Sequence, residues 1–241
     1  MNLFNIIADI EQIDADASER YSFYSRRNLF KAGSRLAAAA LPTLVAGSLN
    51  EAFAQSSAAV DVLKYALTLE YLEDEFYRIG LGTANLIPAA DQAVFSQISK
   101  HEAAHVALLK GALGAAAPAK PTFQFPTGTF TSYQTFMATA RALEDTGVAA
   151  YKGQAGALIN DKAILQTALR IHSVEARHAA QVRRMMGMKG WVSDTTQTSF
   201  TQAGVNLKTL TGKSDDAIRE AFDEPLTMAQ VLAIAGPFIK A

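Results

Sequence analysis

Apolar residues recur at steps of three and four along most of this chain, which is the spacing of amphipathic helices. In one segment, for example, Val62, Ala66, Leu69 and Phe76 share a helical face. No segment alternates convincingly between apolar and polar residues, which would be the signature of a half-buried strand. The pattern therefore predicts an all-α protein.

Capping residues and helix breakers divide the pattern into four long helices. They are expected at about 58–79, from Pro88 to 113, after Ser132 to 159, and after Asp161 to Gly187. Short connections within the first and second pairs predict two antiparallel hairpins. About 20 residues join the hairpins, far more than a helix–helix turn needs. They predict a long crossover that makes the two middle helices parallel.

Two further segments are expected to pack on this bundle. Phe123, Phe125 and Phe130 should hold the crossover against the helices. Residues 191–241 form a C-terminal extension, with one or two helices near 215–222 and after Pro225. The bundle itself is assigned to residues 55–190.

The first 54 residues have the features of an export signal. Arg26 and Arg27 precede an apolar run over 36–49 and the small-x-small triplet at 52–54. This order predicts a twin-arginine signal peptide cleaved after Ala54, and hence a periplasmic or otherwise exported protein. The alternative is an amphipathic helix that stays on the protein. The run of about 14 apolar residues is shorter than the roughly 20 that cross a bilayer, so no stable membrane span is expected.

Composition narrows the chemistry. The net charge is −1 and no block of Lys or Arg occurs in the body of the chain, which argues against nucleic acid as a partner. The chain contains no cysteine, so disulfides, thiolate metal ligands and cysteine nucleophiles are excluded.

The most informative motif is a pair of matched stretches. Each has a Leu-Glu pair, a Tyr seven residues after that Glu, and a later Glu-x-x-His. The first comprises Glu70, Tyr77, Glu102 and His105, and the second comprises Glu144, Tyr151, Glu175 and His178. The copies are offset by 73 or 74 residues. Each copy thus contributes two carboxylates and one imidazole, and the two copies come from equivalent predicted helices.

This set of side chains is suited to two divalent metal ions. A Glu and a His three residues apart share a helical face, and the single Glu residues lie in apolar stripes. Burying four carboxylates would cost a prohibitive amount of free energy unless their negative charge were compensated. Two divalent cations would supply that compensation. Oxygen ligands with two imidazoles suit iron or manganese better than structural zinc. The alternative is a metal-free bundle whose carboxylates face solvent.

The chain resembles the ferritin-like superfamily over about residues 58–187, in particular exported bacterial ferritin-like and desiccation-related proteins. The motifs that carry this resemblance are those at 69–73, 102–105, 143–144 and 175–178. It implies a ferritin-like four-helix bundle with a long crossover and an extra C-terminal helix. The implied metal ligands are Glu70, Glu102, His105, Glu144, Glu175 and His178. Relatives use such centres for iron oxidation, peroxide reduction or oxygen activation.

Neighbouring residues offer further roles. Tyr77 and Tyr151 are expected to donate hydrogen bonds to ligating carboxylates or to serve in redox chemistry, unless they are core residues only. Glu73, opposite Gly147, is a candidate seventh ligand or a carboxylate at which metal enters; otherwise it is a solvated flank. His172 is a candidate hydrogen-bond donor to a ligand or a proton shuttle, whereas His101 is expected to face solvent.

The sequence thus predicts a two-metal carboxylate protein, with iron or manganese, acting on dioxygen, peroxide or iron(II) under oxidative or desiccation stress. Enzymatic turnover would need an electron donor that the sequence does not identify. The alternative is a non-catalytic protein that sequesters metal or is structural. The oligomeric state is left open.

Overall fold

The computed structural model describes residues 56–192, 201–202 and 205–240. The predicted export signal at residues 1–54 lies outside them. Four long helices form the bundle: α1 (Ser57–Gly82), α2 (Gln92–Leu113), α3 (Tyr133–Gln154) and α4 (Lys162–Met185). The predicted all-α fold with a four-helix bundle is confirmed.

The helix boundaries follow from local chemistry. The side chains of Ser56 and Ser132 cap α1 and α3 by accepting hydrogen bonds from Ala59 and Thr135 N–H groups. The sequence predicts that Pro88 lies in the first turn of α2, but the helix begins only at Gln92. The Pro88 carbonyl instead accepts hydrogen bonds from residues 91 and 92 in a turn that precedes the helix. A 3₁₀ turn (Ala155–Leu158) replaces the predicted end of α3.

Cross-helix contacts show that α1 runs antiparallel to both α2 and α3. The pairs are Glu70–His105 and Tyr77–Phe95 between α1 and α2, and Glu70–Tyr151 and Tyr77–Glu144 between α1 and α3. Helices α2 and α3 are therefore parallel, which is the arrangement that the long crossover predicts.

The crossover is held by an aromatic cluster centred on Phe76 of α1. The Phe76 ring centroid lies 4.8 Å from that of Phe136, 5.7 Å from that of Phe125 and 5.5 Å from that of Phe130. Rings at these separations bury much apolar surface and gain from their mutual orientation. The crossover therefore packs as part of the core, as its phenylalanines predict.

In its described residues, the C-terminal segment contains a short antiparallel strand pair and three α-helices. These are β1 (Thr201–Gln202), β2 (Val205–Asn206), α5 (Leu207–Thr211), α6 (Asp215–Ala221) and α7 (Met228–Ala235). Sequence analysis missed the strands and α5, because two-residue strands and a five-residue helix show no usable periodicity. Val231 and Ala235 of α7 are buried in the bundle core, and Leu226 donates a backbone hydrogen bond to Ala149 of α3.

Within the described residues, none of the helices combines the length and apolarity that crossing a bilayer would demand.

Candidate metal centre

The six residues of the matched stretches meet in the middle of the bundle as two overlapping groups. The first is Glu70, Glu102, His105 and Glu175, and the second is Glu102, Glu144, Glu175 and His178. Within each group the donor atoms lie within 4.8 Å of one another, and all six residues are buried. Glu102 and Glu175 belong to both groups. We call the first group the His105 half-site and the second the His178 half-site.

In the His105 half-site, one imidazole nitrogen faces three carboxylates. His105 Nδ1 lies 3.1 Å from Glu70 Oε2, 3.1 Å from Glu102 Oε2 and 3.3 Å from Glu175 Oε1. Burial alone would lower the pKa of His105, but these carboxylates raise it to about 12. Burial raises the pKa of Glu70 to about 7, despite the opposing effect of His105. In the metal-free protein this half-site therefore retains protons at neutral pH.

In the His178 half-site, Nδ1 of His178 faces two carboxylates. It lies 2.9 Å from Glu102 Oε1 and 3.2 Å from Glu144 Oε2. Burial would lower the pKa of His178, but Glu102 and Glu144 raise it to about 10. Burial also opposes the ionisation of Glu102, yet its two neighbouring imidazoles lower its pKa to about 2.

Several buried donor atoms approach one another without forming hydrogen bonds. Among the described residues these atoms are Glu102 Oε1, Glu144 Oε2, both carboxylate oxygens of Glu175, and His178 Nδ1. His178 Nδ1 and Glu102 Oε1 are 2.9 Å apart, which is a hydrogen-bond distance, but their relative orientation does not form a hydrogen bond. A buried polar atom without a partner is costly. Lone pairs that converge in this way would be satisfied by a shared cation.

The charge of the cluster leads to the same inference. Five buried carboxylates surround the two imidazoles, belonging to Glu70, Glu73, Glu102, Glu144 and Glu175. If all five were ionised, three negative charges would remain even with both imidazoles protonated. Two divalent cations with neutral imidazoles would leave one negative charge, which a proton on Glu73 cancels. The residues present therefore fit a two-metal centre, with oxygen and nitrogen donors suited to iron or manganese.

Glu73 lies beside the centre but in neither group. It is buried rather than solvated. Burial, followed by the neighbouring Glu175 and Glu102 carboxylates, raises the pKa of Glu73 well above its ordinary value. Gly147 provides the space: a Cβ atom there would lie 2.9 Å from Glu175 Oε2 and 3.3 Å from Glu73 Oε1. Its position leaves the predicted role as a seventh ligand open.

Each tyrosine of the repeat contacts the single Glu of the other copy. Tyr77 donates a hydrogen bond to Glu144 Oε1, and Tyr151 donates one to Glu70 Oε1 at 2.5 Å. Burial and these carboxylates raise the pKa values of both phenols well above the ordinary value. Both phenols therefore stay protonated and act as donors that orient Glu144 and Glu70.

His101 is the residue that sequence analysis misplaced. It does not simply face solvent, because its Nδ1 lies 2.9 Å from Nε2 of His178 and the two rings stack at 5.2 Å. Its Nε2 lies 2.7 Å from the side-chain amide nitrogen of Gln97. The signal was its spacing: His101 is four residues before His105, about 40° away on the same helix.

His172 is expected from the sequence to lie near a metal ligand, but the structure places it elsewhere. Its interactions are with Val148, Lys152 and Asp223, and not with a residue of either half-site. Burial lowers the pKa of His172. The candidate role as a hydrogen-bond donor to a ligand is therefore not supported by its position.

Comparison with known proteins agrees with this architecture. The family model that describes the ferritin-like domain matches residues 58–188, which extend from α1 to the end of α4. No curated protein matches the chain significantly. Since the matched region covers more than half of the chain, the protein belongs to the ferritin-like domain family.

Proposed function

We propose that this protein holds two iron or manganese ions, one in each half-site, and acts on dioxygen, peroxide or iron(II). The observation that carries the proposal is the overlap of the two half-sites at Glu102 and Glu175. Carboxylates common to both Glu/His groups would be available to both ions. Their unpaired buried oxygens support this role.

The protein residues would hold the ions and limit access of water. Bound in this way, iron or manganese would supply the one-electron redox chemistry that the side chains lack. Tyr77 and Tyr151 orient the two unshared carboxylates through their hydrogen bonds. Glu73, with its raised pKa, holds a proton next to Glu175. Loss or gain of the Glu73 proton would offset the change in charge when the centre changes oxidation state.

The cellular context rests on the N-terminal sequence alone. The paired Arg26–Arg27 motif supports export by the twin-arginine route, which carries folded proteins. Metal would then be inserted before export, and the protein would work in the periplasm under oxidative or desiccation stress. The physiological electron donor would have to act there as well.

Iron(II) loading in the absence of oxygen tests the proposed activity. We expect about two ions per chain, followed by rapid formation of ferric absorbance when dioxygen or hydrogen peroxide is added. Zinc(II)-loaded protein is the matched control, because zinc has no accessible redox change. Rapid consumption of either oxidant would support the proposed enzymatic activity. Full loading without a reaction would contradict it.

A non-catalytic protein that sequesters metal, or has a purely structural role, is the second candidate. The observation that favours it is the deep burial of all six donor residues, which restricts exchange with solvent. Tight binding of two ions with inertness to both oxidants would support sequestration. Failure to bind metal would leave the structural role.

A further inference from the structure

A cavity lies between the bundle and the C-terminal extension. It has a volume of about 500 Å³, within the usual range of small-molecule sites. Its bundle wall includes Thr146 of α3 and Ala176 of α4, and its outer wall includes Trp191, Phe222 and Ile234. We call it the outer cavity.

A much smaller space lies further inside, and we call it the inner cavity. Its volume is about 10 Å³, roughly that needed to hold one water-sized molecule. Its lining residues are Leu69, Leu72, Glu73, Leu143, Thr146, Gly147, Ile234 and Ala235. Thr146 and Ile234 line both cavities and therefore stand between them.

The inner cavity ends at the candidate metal centre. Gly147 forms part of its wall, and a Cβ atom at that position would lie 2.9 Å from Glu175 Oε2. The absence of a side chain on Gly147 thus leaves only a small distance between the inner cavity and a carboxylate of both half-sites. Glu73 lines the same end.

We propose that the outer cavity, the gap between Thr146 and Ile234, and the inner cavity form the path by which a small uncharged oxidant reaches the metal centre. This inference rests on the proposed function. Leucine, isoleucine and alanine side chains form most of the inner wall. Among the lining residues only Glu73 and Thr146 could replace part of the water that a hydrated cation would lose there, so its entry would be costly. Dioxygen and hydrogen peroxide are small and carry no net charge.

A bulky side chain at the gap tests the path. Ile234→Trp should narrow it, and Leu232→Trp is the matched control. Both residues lie on α7 and are 42% exposed, but Leu232 lines neither cavity. Metal content is measured first, by iron(II) titration without oxygen. Wild-type protein that binds no metal would refute the proposed function, and entry of dioxygen into the inner cavity is tested separately, without metal.

The first readout needs no metal. In metal-free protein under dioxygen pressure, paramagnetic relaxation of the Leu72 and Leu143 methyl groups reports whether dioxygen enters the inner cavity. We expect this relaxation to be weaker in Ile234→Trp than in Leu232→Trp, and stronger in Ile234→Ala. Equal relaxation in all the variants would overturn the proposal. Ile234→Ala also keeps the test decisive if Ile234→Trp does not fold.

The second readout is the rate at which iron(II)-loaded protein reacts, measured separately with dioxygen and with hydrogen peroxide. We expect Ile234→Trp to slow the reaction at least about tenfold relative to Leu232→Trp, a barrier increase of about 1.4 kcal/mol. Iron stoichiometry should be unchanged. Slowing with only one oxidant would identify that oxidant as the molecule that uses the path. Unchanged rates with both oxidants would overturn the proposal.

Discussion

The two half-sites contain the same kinds of donor but differ in their surroundings. His105 Nδ1 faces three carboxylates, whereas His178 Nδ1 faces two and is backed by His101. The position that corresponds to His101 in the other copy is Val174, which has no hydrogen-bonding side chain. The repeat therefore provides the donors equally, and the differences arise from residues around them.

A second difference lies on the opposite side of the centre. Glu73 of α1 corresponds to Gly147 of α3, so one copy provides an additional carboxylate and the other provides the space that it occupies. The small inner cavity also lies on this side. One side of the centre thus positions an imidazole, and the other is the side on which we propose that small molecules enter.

The largest effect is expected when a shared carboxylate is removed. Glu102→Ala or Glu175→Ala should abolish most binding of both ions, because each residue belongs to both half-sites. Glu70→Ala or Glu144→Ala should remove about one ion, since each belongs to a single half-site. Metal analysis after anaerobic loading distinguishes these outcomes.

Glu75→Ala is the control, because Glu75 lies on α1 but pairs with Arg78 and Lys120 at the surface. Full stoichiometry in both shared-residue variants would show that the ligands are wrongly assigned.

The next largest effect concerns His101. When Nδ1 of His178 binds a metal, its Nε2 carries the proton and donates to Nδ1 of His101. His101→Ala should weaken binding in the His178 half-site by about 10–100-fold, as for other partners of ligating imidazoles. Rescue by His101→Gln, whose side chain can still accept, would identify the hydrogen bond as the cause.

Val174→Ala is the matched control in the other copy and should leave both affinities unchanged. Titration with iron(II) or manganese(II) measures both. An equal loss in the two half-sites of His101→Ala would show that the asymmetry has no consequence for binding.

A smaller and symmetric effect is expected from the tyrosines. Tyr77→Phe should weaken binding in the His178 half-site, and Tyr151→Phe in the His105 half-site, because each phenol orients the other copy's Glu. Loss of a hydrogen bond with a net value of about 1 kcal/mol corresponds to roughly fivefold. Isothermal titration calorimetry measures the metal-dissociation constant of each half-site. An effect confined to the tyrosine's own copy would contradict the crossed arrangement.

The last prediction concerns stability and not metal binding, and it is a pH dependence of the metal-free protein. The pKa of Glu70 rises from 4.5 to about 7 on folding, and those of His105 and His178 rise from 6.5 to about 12 and about 10. The folded state thus binds more protons than the unfolded state between pH 5 and pH 9. Stability must fall as pH rises through this window.

Thermal unfolding at pH 5, 7 and 9 checks this prediction for the metal-free protein. Its Tm should decrease at each step, and about 1 kcal/mol shifts the Tm of a domain this size by roughly 2–4 °C. Saturating metal should reverse the trend, because metal and protons compete for the same donors. A metal-free Tm that rises over this range would contradict the charge distribution described for the centre.

Helical periodicity and motif spacing were enough to predict the four helices, the crossover and the set of residues that meets at the centre. These features depend on local geometry that repeats along the chain. The sharing of Glu102 and Glu175 could not be predicted, because it depends on how α2 and α4 approach each other. His101 shows the same limit: its angle to His105 was available, but its contact with His178 depends on α4. The inner cavity depends on α7, which is distant in sequence.

The central claim is that two ions lie between the helices with Glu102 and Glu175 common to both. Anomalous diffraction from crystals grown without oxygen and with iron(II) or manganese(II) tests it most directly. The account predicts two anomalous peaks inside the cluster, one at each half-site, with both shared carboxylates between them. A single peak, or none at saturating metal, would contradict it.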